Sequence, residues 1–278
     1  MDGCGMSPRL RELDSGPERK ITFIDELNKL SPAARVGRAK AQVSKLTERV
    51  VEVVNLAAVC DHFVYSNSLS GQIPRSYAGH AYEVTQQALF RQLIIRIIAL
   101  WEKPELNSVS IPTVISLINS DAIISGLQAE HFQAHAGQII VNLNPGKDLE
   151  IEAAIESAIK IDQNNFATSR ANRAAVELRQ CIEKVKEVTE DATYKSINNL
   201  RHHLAHSLDK TRSEIRAPVP HVKYGQEKEL LDTSIRLIES LYCWVNATSF
   251  DIQGDCVEQA KRNASELWTN CTFNVPVY

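Results

Sequence analysis

Residues 31–69 read SPAARVGRAKAQVSKLTERVVEVVNLAAVCDHFVYSNSL, and apolar side chains recur through this stretch at intervals of three, four or seven residues. That spacing places the apolar side chains on one face of an α-helix and leaves the charged ones on the other. Ser31 followed by Pro32 is typical of a helix start, because serine caps free N–H groups and proline fits the first turn. We therefore predict a long amphipathic helix from Ser31 to near Leu69. Its apolar positions are Val36, Ala39, Val43, Leu46, Val50, Val54, Ala57 and Val64.

A helical period also governs most of the remaining chain. The predicted helices are Thr22–Leu30, Ser76–Glu102, a short helix from Ser110, Asp121–Gln138, Asp148–Glu190 with a possible break near Asn164, Thr193 to about Leu208, Gln226–Phe250 and Cys256–Thr269. The segment Ser76–Glu102 is apolar enough to be the central helix. Ile139–Val141 is strand-like but too short and isolated for a sheet, and Arg212–Tyr224, which contains two prolines, is predicted to be a loop. These patterns predict an all-α fold, a bundle of long antiparallel helices with peripheral short helices.

Composition narrows the class of protein. With 44% apolar residues and a net charge of -3, the chain can bury a large core, and any phosphate binding must rely on a local basic patch. Residues 1–20 combine glycine, proline and charge without an apolar signal segment, so we expect a mobile leader followed by one domain over residues 21–278. Six cysteines without a C-x-x-C pair indicate reduced structural thiols. We expect a cytoplasmic protein.

The histidines are concentrated in one place, since three of the eight fall within residues 200–207, LRHHLAHS. On a helix His202 and His206 lie one turn apart and share a face. Arg201 lies about 140° from His206 around the helix axis. One copy of this helix therefore makes an incomplete site.

Basic residues surround this stretch, so a local phosphate site is plausible despite the acidic total. A histidine can take a proton from a ribose 2′-hydroxyl or give one to a leaving oxygen, and an arginine can stabilise charge on the phosphate between them. This chemistry would cleave RNA without a metal. The residues predicted to bind RNA are Lys210, Arg212 and Arg216.

The spacing Arg201-x-x-x-x-His206, with polar His202 directly after the arginine, resembles the R-x4-6-H motif of the HEPN-domain superfamily. The stretch from Leu200 to His206 is similar to the AbiU-like branch, which belongs to abortive-infection systems. An apolar helix at residues 88–101, the helix start at Ser110 and an apolar helix from Leu230 follow the order of that branch. The resemblance covers roughly residues 35–244.

The resemblance implies an HEPN-like bundle whose motif helices pair across a homodimer, so that two copies of Arg201 and His206 form one site. By analogy His206 is the general base or acid, Arg201 binds the phosphate, and His202 orients them. The implied activity is a metal-independent endoribonuclease, without a cofactor, that acts in phage defence or as a toxin. An antitoxin or defence protein is a possible partner.

Other interpretations stay open at this point. Some HEPN proteins are catalytically inactive modules that bind a partner, and Arg201 could pair with a carboxylate such as Glu190. A metal site would use His202 and His206 with a third ligand from His203, His221 or a distant carboxylate. His131 and His135 are expected on a polar helix face. Arg91 and Arg96 could border a second polar pocket, although exposed or paired arginines are the simpler interpretation. Three cysteines within apolar patterns are expected to be core thiols: Cys60, Cys181 and Cys243.

Overall fold

A computed structural model describes residues 22–137, 149–206 and 225–275 of the chain, and over these residues the chain forms helices and no strand. The predicted all-α fold is therefore confirmed. The helices are α1 Phe23–Asn28, α2 Pro32–Phe63, α3 Asn67–Ser70, α4 Tyr77–Ala99, α5 Ile111–Ile118, α6 Asp121–His135, α7 Leu149–Glu190, α8 Ala192–His206, α9 Gln226–Asn246 and α10 Glu258–Thr269, with one π-helical segment, Ile252–Val257, before α10. The predicted leader, the strand-like Ile139–Val141 and the loop Arg212–Tyr224 lie outside the described residues.

Three helix starts follow the sequence signals directly. The side chains of Ser31, Ser76 and Ser110 each accept a hydrogen bond from the backbone N–H three residues further on, at 3.2 to 3.3 Å. Each bond satisfies one of the N–H groups that the first helical turn leaves unpaired. Helices α2, α4 and α5 thus begin where the sequence predicts.

Several predictions about the extent of the helices are wrong. Helix α9 ends at Asn246 rather than at Phe250, because Ala247 adopts a left-handed backbone conformation with φ of 56°. Helix α2 ends at Phe63 rather than near Leu69, because Ser66 starts a new helix by accepting a hydrogen bond from the N–H of Ser68. Helix α7 runs without a break through Asn164, which is exposed and whose backbone oxygen accepts a bond from the Thr168 hydroxyl. An exposed asparagine costs a helix less than about 1 kcal/mol, so packing elsewhere along α7 outweighs it.

Helix α2 lies at the centre of the bundle, where it packs against α4, α5, α6, α9 and α10. Its predicted apolar face is buried at Ala39, Val43, Leu46, Val50 and Val54. Each buried valine or leucine of this kind contributes roughly 1.5–3 kcal/mol to folding. The stripe of apolar residues in 31–69 therefore organises the core, as the sequence predicts.

Helix α4 was expected to be central, and this expectation is wrong for its first half. Tyr77 is 95% exposed and Val84 is 53% exposed, although both fit the apolar pattern. Tyr82, about 200° from Val84 around the axis, packs inwards instead and stacks on Phe63 with 5.2 Å between ring centroids. Only the second half of α4 presents the predicted face to the core, and its buried residues are Leu93, Ile94, Ile97 and Ile98.

None of the helices within residues 22–137, 149–206 and 225–275 combines the length and the sustained apolar character that crossing a membrane requires.

His131 is buried, not on a polar helix face as predicted. Its side chain is 1% exposed, Nε2 lies 3.0 Å from the backbone oxygen of Trp244, and Nδ1 has no hydrogen-bond partner in the described structure. Burial lowers the pKa of His131 below its ordinary value of 6.5, and the charge of Arg170 acts in the same direction, while the bond to Trp244 opposes the shift. The other residue of the predicted pair, His135, packs edge-on against Phe166 with centroids 5.5 Å apart.

We expect this histidine to make the fold less stable in acid. Below pH 6.5 the unfolded chain binds a proton that the folded chain excludes, so the free energy of unfolding falls as pH falls, down to the folded pKa. Urea unfolding at about pH 7.5 and about pH 5.5 measures this loss. The His131→Leu variant should show a smaller pH dependence than the wild type, and His80→Leu, at an exposed histidine, should not. Equal pH dependence of wild type and His131→Leu would contradict the assignment.

Candidate functional site

The histidine stretch lies in the second half of α8, which packs against α4, α7 and α9. Asp191 precedes the helix, and its carboxylate accepts hydrogen bonds from the N–H groups of Thr193 and Tyr194 at 2.7 and 3.2 Å. These bonds hold the pKa of Asp191 below its ordinary range, the largest contribution coming from Tyr194. The inner face of α8 carries buried Ile197 and partly buried Leu204, which fix the rotation of the helix.

Arg201 faces the end of α4. It lies seven residues after Tyr194 and therefore shares its face of the helix. Its Nη2 atom donates to Oε1 of Glu102 at 3.0 Å, and the two side chains are 26% and 41% exposed. The Nε atom of Arg201 is buried and has no hydrogen-bond partner in the described part of the chain. Arg201 is thus held against the protein with part of its surface open to solvent.

Arg201 pairs with Glu102, not with Glu190, the carboxylate suggested by the sequence. The backbone oxygen of Glu190 accepts a hydrogen bond from Lys195 Nζ at 2.6 Å. Glu102 follows the last turn of α4, 99 positions before Arg201 in the chain. Only the packing of α8 on α4 brings the two charges together, so no local sequence signal could have found this pair.

A chain of contacts anchors the face of α8 that carries Arg201. The Tyr194 hydroxyl donates to the backbone oxygen of Trp101 at 3.3 Å, and the two rings are 5.8 Å apart. Trp101 Nε1 in turn donates to the Ser234 hydroxyl of α9 at 2.8 Å. Burial raises the pKa of Tyr194, while the nearby charge of Arg201 lowers it. Tyr194 therefore stays a neutral hydrogen-bond donor beside the guanidinium.

His202 and His203 lie on different faces of α8 from Arg201. His202, about 100° from Arg201 around the axis, is exposed, and His203 is partly buried. Residue 206 is the last residue of α8, about 40° from His202 around the axis. Within one copy, then, Arg201 is turned towards α4 while His202 is turned to solvent.

Several predicted site residues lie outside the described residues, so their roles stay predictions. They are Lys210, Arg212, Arg216 and His221.

Within residues 22–137, 149–206 and 225–275, no group of three or more histidine, cysteine or carboxylate side chains is placed to hold a metal ion. The proposed ligand His221 is outside these ranges.

The neighbouring cleft does not suit phosphate. It has a volume of about 380 Å³ and lies between the end of α7, the start of α8 and the start of α9. Among the described residues that line it, Lys184 is the one basic residue, against the three carboxylates of Glu187, Asp191 and Glu229. These carboxylates would repel a phosphodiester.

The three cysteines within apolar patterns lie in the core or pack against it. Cys60 and Cys181 are buried, as predicted, and burial raises the pKa of the Cys60 thiol to about 12, which removes it as a nucleophile. Cys243 is only partly buried. Arg96 is exposed and pairs with Glu52 at 3.1 Å, which confirms the simpler interpretation of that residue.

Comparison with known protein families identifies the family of the chain. A family model described as AbiU2, of the HEPN type, matches residues 39–267, which include α4, α8 and the whole motif. No curated protein matches the chain, and no solved structure does.

Proposed function

Because the chain belongs to the AbiU2 family of HEPN-type proteins, we propose that it is a metal-independent endoribonuclease whose site is built by two copies of α8. The family name places the chain among abortive-infection proteins. The substrate is RNA, the cellular role is that of a phage-defence or toxin effector in the cytoplasm, and an antitoxin or defence protein would control it.

The placement of Arg201 is the observation that carries this proposal. The guanidinium is hydrogen-bonded to Glu102, and the Arg201 side chain stays 26% exposed. A fixed and partly open arginine is suited to a phosphodiester, because its planar fork matches two phosphate oxygens. It also pays little conformational entropy on binding.

In the proposed reaction the two copies of His206 act as general base and general acid. His206 of one copy removes the proton of the ribose 2′-hydroxyl, and His206 of the other copy gives a proton to the departing 5′-oxygen. Arg201 stabilises the charge that develops on the phosphate. His202 orients these groups, and Lys210, Arg212 and Arg216 bind the RNA strand on either side. The product would carry a 2′,3′-cyclic phosphate.

Two copies are needed because one helix does not bring the groups together. Arg201 is turned towards α4 in its own copy, and position 206 lies about 140° from it around the axis. A second α8 related by a two-fold axis would place a further arginine and histidine opposite the first pair.

A second candidate function rests on the same ion pair. If Arg201 serves only to join α8 to α4 through Glu102, the chain is a catalytically silent module that binds a partner protein. This alternative predicts no RNA cleavage by the wild type and a loss of stability in Arg201→Ala.

Mixed dimers test the composite site. Wild-type and His206→Ala copies, co-expressed with different tags, can be purified as a dimer that keeps a single His206. We expect this mixed dimer to be nearly as inactive as the His206→Ala homodimer, because the one composite site needs His206 from each copy as base and acid. Cleavage at about half the wild-type rate would show that each copy works alone and would overturn the composite site. No cleavage by the wild type would favour the silent module.

A further inference from the structure

Glu102 is the residue on which Arg201 depends most directly. The distance from Arg201 Nη2 to Glu102 Oε1 is 3.0 Å, and the carboxylate is 41% exposed. Glu102 lies just beyond α4, and the neighbouring Trp101 is 2% exposed and hydrogen-bonded to Ser234. The carboxylate is therefore carried on a rigid part of the core.

The ion pair with Glu102 uses only part of the hydrogen-bonding capacity of Arg201. A guanidinium has five N–H donors, and Glu102 accepts from the Nη2 atom alone, while Nε is buried without a partner in the described structure. A phosphate that approaches the open side of Arg201 meets a guanidinium in a fixed position. It also meets a carboxylate that offsets the positive charge and repels the phosphate.

We propose that Glu102 is a positioning residue for Arg201 that also weakens the binding of RNA phosphate at that arginine. The inference rests on the proposed function, and it names the group that regulates the same site. RNA phosphate binds other N–H groups of Arg201 while Glu102 keeps its hydrogen bond to Nη2. The repulsion from Glu102 is tolerated because a partly exposed charge interaction contributes little free energy in water.

The negative charge of Glu102 lowers the affinity of a single copy for any RNA phosphate. Tight binding of RNA then needs the additional arginine and basic residues of a second copy. Retention of RNA by the unpaired copy is thereby reduced.

The substitution Glu102→Gln separates the positioning role of Glu102 from its charge. The Glu102→Gln amide oxygen can still accept the bond from Arg201, but the negative charge is gone. Glu102→Ala removes both the acceptor oxygen and the negative charge. The ion pair of Glu52 and Arg96, which joins α2 to α4 at 3.1 Å, provides a matched control. Glu52→Gln changes the net charge by the same amount as Glu102→Gln.

The experiment measures the binding of a single-stranded RNA whose 2′-hydroxyls are methylated, so that cleavage cannot occur. We expect Glu102→Gln to bind about fivefold more tightly than the wild type at low salt, the upper range for a partly exposed ion pair. The difference should shrink as salt rises, because the charges are screened. Glu52→Gln should bind like the wild type. In cleavage assays Glu102→Gln should lower KM with little change in kcat, whereas Glu102→Ala should lower kcat.

The outcomes separate this inference from the proposed function. If Arg201→Ala weakens RNA binding but Glu102→Gln binds no more tightly than the wild type, the role of Glu102 is overturned and the ribonuclease site stands. Equal tightening in Glu102→Gln and Glu52→Gln would also overturn it, as an effect of net charge. Unchanged binding by Arg201→Ala would overturn the phosphate role of Arg201 and this inference with it.

Discussion

Replacing His206 with alanine is expected to slow RNA cleavage by about 10²- to 10⁴-fold, the range for the loss of a general acid or base. Single-turnover cleavage of a short RNA measures the effect, and urea unfolding checks the fold. A matched control is His80→Ala, since His80 is an exposed histidine of α4.

The same assay separates His206 from Arg201. Arg201→Ala should lose about 10²- to 10³-fold in rate, as expected for removal of a charge that stabilises the transition state. Arg201→Lys should recover only part of this loss, because an ammonium group cannot bind two phosphate oxygens in the planar geometry of a guanidinium. Cleavage by His206→Ala at the wild-type rate would contradict the assignment of the general base.

Trp101→Ala is expected to have the largest effect on stability, with a loss of about 3–5 kcal/mol in the free energy of unfolding. Trp101 is 2% exposed, and its indole N–H donates to Ser234 at 2.8 Å. Alanine therefore leaves a cavity and removes the donor to the Ser234 hydroxyl, which keeps its bond to the backbone oxygen of Leu230. Trp101→Phe should cost less, because it keeps most of the packing. Urea unfolding monitored by circular dichroism measures these differences.

A control for Trp101→Ala is Leu267→Ala, since Leu267 is 60% exposed. We expect that substitution to change stability by no more than about 0.5 kcal/mol. A loss below about 1 kcal/mol in Trp101→Ala would show that the contacts between α4, α8 and α9 do not carry the stability assigned to them.

Helix starts and the central stripe of apolar residues could be predicted from the sequence because both are local. Ser31, Ser76 and Ser110 each cap a helix within three residues, and the stripe from Ala39 to Val54 needs only the helical period. Such signals depend on neighbours in the chain. They fix which segments are helices and which face each helix buries when a partner covers it.

Predictions failed where the covering element decides the outcome. Tyr77 and Val84 fit the same period as the buried half of α4, yet they are exposed because the core packs on the side of Tyr82. His131 was expected on a polar face, but Trp244 of α9 covers it. A helical period alone cannot show which of two apolar faces is covered or which polar residue is enclosed.

The candidate site divides in the same way. Arg201, His202 and His206 could be proposed from one short motif, whereas Glu102 could not, since it is distant in the chain and adjacent only in the fold. Tyr194 lies seven residues before Arg201, and this spacing could have shown that both share a face. The motif therefore identifies the reacting groups, and the packing of α8 on α4 identifies the residues that hold them.

Cleavage of total RNA and tRNA by the purified protein in excess chelator tests the central claim most directly, with wild type and His206→Ala compared side by side. The account predicts that the wild type cuts RNA in chelator and leaves 2′,3′-cyclic phosphate ends, and that His206→Ala does not. Cleavage that stops in chelator, or that is the same in both proteins, would contradict a metal-independent ribonuclease that depends on His206.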